Sequence, residues 1–168
     1  MAVKTIMVIG AGQMGNGIAQ VGAQAGYDLI LTDISQDLVD KGMANVEKNL
    51  SRMVKKDKIT DEDKQKILAR ITPVVGLDRA SECDLAVEAV VESMEVKAKV
   101  FSELDRLAPK EAILASNTSS LPITSIAATT QRPGKVIGMH FMNPVPVMRL
   151  VEVINGLATE PEVTRTIK

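Results

Sequence analysis

A glycine-rich loop near the N-terminus constrains this chain more than any other feature. An apolar run at 5–9 precedes the loop, a helical pattern at 16–25 follows it, and its sequence is Gly10-Ala11-Gly12-Gln13-Met14-Gly15. Between a strand and a helix, such glycines permit a tight turn, the approach of a pyrophosphate and close helix packing. The next apolar run ends at Asp33, whose carboxylate is placed to accept hydrogen bonds from a ribose. We therefore predict a dinucleotide-binding unit; a glycine-rich turn in an unrelated α/β protein is the alternative.

The composition is that of a single folded domain. The chain has 168 residues, of which 45% are hydrophobic, and a formal net charge of −1. A chain so close to neutral lacks the basic surface of a nucleic-acid-binding protein, and no apolar run is long enough to predict a membrane span. Cys83 is the single cysteine, which fits a reducing, cytoplasmic compartment. We expect Cys83 to pack as a small apolar side chain.

The residues after Asp33 predict two consecutive helices before the third strand. Ser35 can cap the first helix, and Thr60 with Asp63 has the form of a capping box for the second. This helical hairpin, at about 36–70, is longer than most crossover connections. It is either a solvated insertion or a lobe that overhangs a substrate cleft.

Strands and helices alternate through the middle of the chain. The pattern predicts strands at 71–75, 84–89 and 112–116, and a helix at 94–108. Pro73 indicates either that the first of these strands lies at a sheet edge or that the proline falls among its first residues. The alternation predicts the α/β class and a Rossmann-type, doubly wound, mostly parallel sheet. The hydroxyl-rich loop 117–120 follows a strand, at the end of the sheet where such folds bind ligands.

The last two predicted strands form an antiparallel pair. They cover 135–141 and 149–154, and the connection between them contains two prolines. A reversal centred on Pro146 places His140 directly opposite Glu152, because 140 and 152 are equally distant from 146. Side chains directly opposite each other share one face of the sheet, so we expect a hydrogen bond between these two.

A further helix is predicted at the end of the chain. Thr159 and Glu162 have the spacing of a capping box, and Pro161 suits the first turn of a helix. About two turns fit before Lys168, and helices that short are marginal unless they are docked. We therefore expect the chain to be the N-terminal part of a longer protein.

His140 carries the predicted chemistry. It is the single histidine, and so the natural proton donor or acceptor near neutral pH. A carboxylate from Glu152 would fix its tautomer and stabilise the imidazolium. With a dinucleotide in the same domain, this pair predicts interconversion of an alcohol and a ketone by hydride transfer. A core histidine with backbone partners is the alternative interpretation.

Charged residues also indicate the ligands. Asp33 favours NAD over NADP, since a 2′-phosphate would meet its carboxylate. Arg52, Lys55, Lys56 and Lys58 form a basic patch. This patch is either a solvated helix end or a site for the phosphates of a large substrate. No group of histidine, cysteine and acidic residues has the spacing of a metal site, so no metal is predicted.

The chain resembles the 3-hydroxyacyl-CoA dehydrogenase family over its whole length, and most closely the bacterial 3-hydroxybutyryl-CoA dehydrogenases within it. The resemblance rests on the glycine-rich loop and on the segments Ala89-Val90-Val91-Glu92, Ser116-Asn117-Thr118-Ser119-Ser120-Leu121 and His140–Met148, followed by Leu150-Val151-Glu152. It implies NAD-dependent interconversion of (S)-3-hydroxyacyl-CoA and 3-oxoacyl-CoA, such as 3-hydroxybutyryl-CoA and acetoacetyl-CoA, in fatty acid and butanoate metabolism.

The resemblance also implies a role for each candidate residue. The residues implied for catalysis are His140 as the base, Glu152 as its partner and Ser119 at the 3-oxygen of the substrate. The residues implied to contact NAD are the glycine-rich loop, Asp33, Glu92, Lys97, Ser119 and Asn143. Those implied to contact coenzyme A are Lys56, Ser119 and Asn49, which occupies the place of a serine found in some relatives.

Members of this family carry an additional all-helical C-terminal domain for dimerisation, which is absent from residues 1–168. The resemblance therefore implies that the full-length protein is a homodimer or a larger oligomer, and that this chain alone is weakly active or inactive. Two other functions stay open at this stage. One is dehydrogenation of a sugar acid such as gulonate, and the other is a non-catalytic NAD-binding module.

Overall fold

The computed structural model describes residues 2–168, and seven strands in this range form one sheet. They are β1 (Thr5–Ile9), β2 (Asp28–Asp33), β3 (Ile71–Val75), β4 (Leu85–Glu88), β5 (Ile113–Ser116), β6 (Val136–Phe141) and β7 (Val151–Asn155). Their order is β3-β2-β1-β4-β5-β6-β7; the first six are parallel, and β7 is antiparallel to β6. The predicted Rossmann-type sheet, its terminal antiparallel pair and the edge position of β3 are confirmed.

Helices connect the strands on both faces of the sheet. They are α1 (Gln13–Gln24), α2 (Gln36–Lys55), α3 (Asp61–Ala69), α4 (Met94–Leu107), α5 (Ile123–Ala127) and α6 (Pro161–Ile167), with short 3-10 turns at Asp78–Glu82 and Pro133–Lys135. No helix within residues 2–168 combines the length and apolarity that crossing a bilayer requires.

The central strand β1 is buried on both faces. Val8 belongs to the same apolar cluster as Ile18 of α1. Its neighbour Met7 points the other way and belongs to a second cluster with Phe101 of α4. A parallel strand covered by helices on both sides reads as a continuous apolar run, which explains why the sequence pattern locates it so clearly.

α2 and α3 form the predicted helical hairpin. The Ser35 hydroxyl caps α2, and Thr60 and Asp63 exchange the two hydrogen bonds of a capping box, each 3.0 Å long. α2 also packs closely on the glycine-rich loop, since a Cβ atom at Gly42 would lie 2.7 Å from the carbonyl oxygen of Ala11. The hairpin is therefore fixed beside the loop.

The capping box predicted at Thr159 and Glu162 is wrong. α6 begins after Glu160, and no side chain caps it. The Thr159 hydroxyl instead donates to the carbonyl oxygen of Val136, at 2.7 Å, and accepts a backbone N–H from the turn after β7. Because this tertiary partner competes with the helix end for the same hydroxyl, the local pattern fails here.

Cys83 packs in the core, as expected. It is 1% exposed, and its thiol donates to the carbonyl oxygen of Ala80. Burial raises the pKa of the Cys83 thiol to about 11. The thiol is therefore neutral at physiological pH, which is consistent with a packing role.

Candidate active site

The glycine-rich loop connects β1 to α1, and two of its glycines have no room for a side chain. Gly10 has a φ of 103°, in the left-handed region, and a Cβ atom there would lie 2.5 Å from the carbonyl oxygen of Ala89. A Cβ atom at Gly15 would lie 1.6 Å from the carbonyl oxygen of Gly10. These contacts let α1 start at Gln13, inside the loop and three residues before the predicted pattern.

Gly12 differs from its two neighbours in the motif. It is the N-cap residue of α1, and no heavy atom lies within 4 Å of the position that its Cβ would take. No close contact within the protein therefore calls for a glycine here. Open space at a helix N-terminus, where backbone N–H groups have no helical partners, suits a bound pyrophosphate. The loop thus fits a dinucleotide.

Asp33 holds this loop against the end of β2. One carboxylate oxygen accepts the N–H of Ala11 and the other accepts the N–H of Ile34, both at 2.7 Å. Each oxygen of a carboxylate has two lone pairs, so both can still accept a hydroxyl. Asp33 is only partly buried, and this remaining capacity is what recognition of a ribose requires.

The predicted register of the last two strands is confirmed. His140 and Glu152 are direct partners in the β6–β7 pairing, and the Nδ1 atom of His140 lies 2.8 Å from a carboxylate oxygen of Glu152. The side chain of His140 is 23% exposed and that of Glu152 is 52% exposed. The imidazole is therefore oriented by a carboxylate while it stays accessible from solvent.

Two hydrogen bonds join the histidine strand to the other loops at this end of the sheet. The backbone N–H of Phe141 donates to the side-chain oxygen of Asn117, at 2.9 Å. The side chain of Gln13, in the first turn of α1, donates to the side-chain oxygen of Asn143, at 3.3 Å. The second bond brings the glycine-rich loop and the connection after β6 together, although they are far apart in sequence.

Glu92 and Ser119 are in direct contact. One oxygen of Glu92 accepts the Thr118 hydroxyl at 2.6 Å, and the other accepts the N–H and the hydroxyl of Ser119 at 2.9 and 3.1 Å. Burial raises the pKa of the Glu92 carboxyl, but these hydrogen bonds and the charge of Lys97 outweigh it and lower the pKa below its ordinary value. Glu92 is therefore ionised at neutral pH.

Lys97 lies in the protein interior. It is 2% exposed, and its Nζ atom lies 2.6 Å from Glu88 and 3.6 Å from Glu92. Its contact with the cofactor stays a prediction. Glu88 and Asn117 were not singled out from the sequence, because their partners come from other strands and loops. A buried-strand pattern that ends in an acidic residue was the available signal for Glu88.

Three residues of the basic patch line a cleft of about 490 Å³. They are Arg52, Lys56 and Lys58, and the segment 143–147 also lines this cleft. Lys55 does not line the cleft. Part of the helical hairpin therefore lines a cleft, while its role in holding a substrate stays a prediction.

Asn49 also lines the cleft, but its side chain is partly engaged. Its amide donates to the side-chain oxygen of Gln20 in α1, at 3.2 Å. A larger cavity, of about 620 Å³, lies between α1 and the β6–β7 pair. Its walls are mainly apolar, and none of the predicted site residues line it. The predicted site residues therefore lie outside this larger cavity.

A sheet of this topology, with a glycine-rich loop at its switch point, makes the chain a dinucleotide-binding domain of the Rossmann class. The chain belongs to the 3-hydroxyacyl-CoA dehydrogenase family, since residues 5–168 match the family model "3-hydroxyacyl-CoA dehydrogenase, NAD binding domain". NAD is accordingly the cofactor of this domain.

Relatives in this family are similar over nearly the whole chain. A 3-hydroxybutyryl-CoA dehydrogenase of Bradyrhizobium diazoefficiens is 53% identical over 94% of this chain and 54% of its own length. A probable 3-hydroxybutyryl-CoA dehydrogenase of Bacillus subtilis is 51% identical over 96% of this chain and 56% of its own. The crystal structure of (S)-3-hydroxybutyryl-CoA dehydrogenase PaaH1 from Ralstonia eutropha has a TM-score of 0.97 and 43% identity, covering 99% of this chain and 59% of that one. The chain thus spans a little over half the length of these relatives.

Two glycine substitutions separate the roles of the loop. Gly12→Ala adds a methyl group to the open space in which we expect the pyrophosphate, so NADH affinity should fall at least about tenfold while stability changes by about 1 kcal/mol or less. Gly15→Ala forces a methyl group into backbone, so we expect loss of folding stability. Isothermal titration with NADH and thermal unfolding measure both effects. Unchanged NADH affinity in Gly12→Ala would contradict the assignment of this loop.

Proposed function

We propose that the protein containing this chain interconverts (S)-3-hydroxybutyryl-CoA and acetoacetyl-CoA with NAD. The observation that carries the proposal is the 2.8 Å contact between His140 and Glu152 in a domain with a dinucleotide loop. Four relatives named as established or probable 3-hydroxybutyryl-CoA dehydrogenases share 47–53% identity with the chain, which supports this substrate class.

His140 acts as the general base on the 3-hydroxyl group. Because Nδ1 faces Glu152, the neutral imidazole carries its proton there and accepts the substrate proton at Nε2. Glu152 then stabilises the imidazolium. NAD, when bound, supplies the hydride acceptor for the carbon that is oxidised. In the direction of reduction, the imidazolium returns its proton to the developing alkoxide.

Ser119 binds the 3-oxygen of the substrate. Its hydroxyl donates to Glu92, and because the single proton of the substrate hydroxyl goes to His140, Ser119 has to act as a hydrogen-bond donor to the substrate oxygen. Rotation of the same O–H group would let it donate to the ketone of the product. Glu92 also holds the backbone of Ser119, so the position of the hydroxyl does not depend on its own rotamer alone.

The basic cleft binds the phosphates of coenzyme A. Lys56 lies in this cleft together with Arg52 and Lys58, and Asn143, a predicted cofactor contact, also lines it. A sugar acid has one carboxylate and no phosphates, so its binding would not require three cationic side chains in the cleft. A non-catalytic NAD-binding module has no need for an accessible histidine paired with a carboxylate. Both alternatives are therefore less well supported.

The remaining parts of the proposal concern the whole protein. Residues 1–168 are the NAD-binding domain. The helical domain that the resemblance implies would form the interface of a dimer or a larger oligomer. Because NAD and acyl-CoA are metabolites of the cell interior, we place the activity in the cytoplasm. With Glu152 52% exposed, the active site of the isolated domain is open to water, whereas catalysis benefits when water is excluded.

The first test compares substrates and chain lengths. We expect the full-length protein to reduce acetoacetyl-CoA with NADH, to use NADPH poorly, and to act weakly on gulonate. The 168-residue domain should bind NADH but turn over at least about 100-fold more slowly, because nothing closes the site. NADH absorbance measures turnover. An inactive full-length protein would overturn the proposed function, and normal turnover by the domain alone would overturn its dependence on the rest of the protein.

The second test concerns the catalytic pair in the full-length protein. His140→Ala removes the general base and should lower kcat by about 10²- to 10⁴-fold, and Glu152→Ala should lower it at least about tenfold, with NADH affinity unchanged. Glu103→Ala is the matched control, because Glu103 is also 52% exposed but lies in α4. Loss of NADH binding in both catalytic variants would mean that these residues are structural.

The third test addresses the basic cleft. Lys56→Ala should raise KM for acetoacetyl-CoA about three- to tenfold, because it removes a charged contact to phosphate, and high salt should reduce this difference. An acetoacetyl thioester of N-acetylcysteamine lacks those phosphates, so its kinetics should not change. Lys55→Ala, at the last residue of α2 and next to Lys56 in sequence, is the control because Lys55 does not line the cleft. Equal effects of the two lysine variants would contradict the assignment of the cleft.

A further inference from the structure

A buried glutamate lies at the centre of the sheet, just below the loops of the candidate site. Glu88 is the last residue of β4 and is 0% exposed. In the sheet it pairs with Ile9 on one side and with Ser116 on the other. It therefore stands between the strand that leads into the glycine-rich loop and the strand that leads into the loop of Ser119.

The carboxylate of Glu88 binds three groups from three different segments. One oxygen accepts from the Lys97 ammonium at 2.6 Å and from the Val90 N–H at 2.7 Å. The other oxygen accepts from the Ser116 hydroxyl at 2.6 Å. Among the described residues, no buried side-chain nitrogen or oxygen lacks a hydrogen-bond partner. The network around Glu88 is thus satisfied.

This network continues to the residues that face the ligands. The Ser116 oxygen also accepts the N–H of Thr118, at 3.1 Å, and the Thr118 hydroxyl in turn donates to Glu92. Glu92 holds both the N–H and the hydroxyl of Ser119. A continuous series of hydrogen bonds therefore leads from the buried carboxylate of Glu88 to the Ser119 hydroxyl.

The energetics make a purely stabilising role a poor explanation of this arrangement. Removing two charges from water costs free energy that their attraction repays only when the geometry is good, and apolar residues often stabilise such a position as well or better. A fully hydrogen-bonded charge does, however, restrict its partners to one arrangement. Glu88 and Lys97 lie next to the loops that carry Glu92 and Ser119. We therefore expect the hydrogen bonds of Glu88 to restrict the conformation of these two loops.

We propose that Glu88 is a positioning residue, which holds the loops of Glu92 and Ser119 in the arrangement that receives the nicotinamide half of the cofactor. This inference rests on the proposed function for the identity of the ligand. The adenosine half is held elsewhere, by the glycine-rich loop and Asp33, so it does not depend on Glu88. The two halves of the cofactor can therefore be tested separately.

The experiment compares NADH with ADP-ribose, which lacks nicotinamide. Dissociation constants are measured by isothermal titration on the full-length protein and on Glu88→Gln, which keeps the size of the side chain and removes its charge. We expect NADH affinity to fall about tenfold, the scale of a lost charge-assisted hydrogen bond, and ADP-ribose affinity to stay within about twofold. An unchanged ratio of the two affinities would overturn the proposal.

A matched control disrupts another ion pair, which is largely buried and lies away from the loops of the candidate site. Asp105 lies 2.7 Å from Arg132, and their side chains are only 13% and 11% exposed, but they join the end of α4 to the segment before β6. Asp105→Asn should lower the melting temperature and leave the ratio of NADH to ADP-ribose affinity unchanged. If this variant shifts the ratio as much as Glu88→Gln does, general destabilisation explains both and the proposal fails.

A second variant keeps the test decisive if Glu88→Gln does not fold. Ser116→Ala breaks the same series of hydrogen bonds without leaving a charge unpaired, so we expect a smaller loss of NADH affinity and again no loss of ADP-ribose affinity. Equal loss of both ligands would indicate a structural role and overturn the proposal. Failure of the unaltered protein to bind either ligand would instead overturn the proposed function, on which the inference rests.

Discussion

Polar backbone groups in the loops at the carboxyl end of the sheet need hydrogen-bond partners, and the way they are satisfied builds the site. Several side chains accept a backbone N–H at this end: Asp33 accepts from Ala11, Glu88 from Val90, Glu92 from Ser119, and Asn117 from Phe141 at the end of β6. Three of these four bonds join segments that are distant in sequence, so the segments fix one another in position. The residues that organise the site are therefore acceptors of backbone hydrogen bonds as well as candidates for ligand contacts.

The antiparallel strand β7 adds Glu152, the carboxylate of the proposed catalytic pair, to a sheet that is otherwise parallel. In the β6–β7 pair, His140 and Glu152 are direct partners, so their side chains meet on one face. A crossover helix between parallel strands would separate the two residues by a much longer connection. The short reversal thus places an imidazole and its carboxylate together, while the parallel part of the sheet holds the cofactor loop.

The helical hairpin has a comparable double role. Close packing of α2 at Gly42 fixes it to the glycine-rich loop, and Lys56, just after the end of α2, lines the cleft. The glycine-rich loop and the proposed coenzyme A site are therefore held in a fixed position relative to each other. The long crossover, which looked excessive in the sequence, provides a surface that a minimal crossover could not reach.

Local signals in the sequence were enough to predict the glycine-rich loop, the Thr60–Asp63 capping box and the register that pairs His140 with Glu152. Each depends on neighbours within a few residues or on one short reversal. Which partner a polar side chain takes when distant segments compete for it depends instead on the three-dimensional fold. Thr159 leaves its expected cap for the carbonyl oxygen of Val136, and Glu88 acquires the ammonium of Lys97. A buried polar group takes whichever partner folding brings within reach, and local patterns do not contain that information.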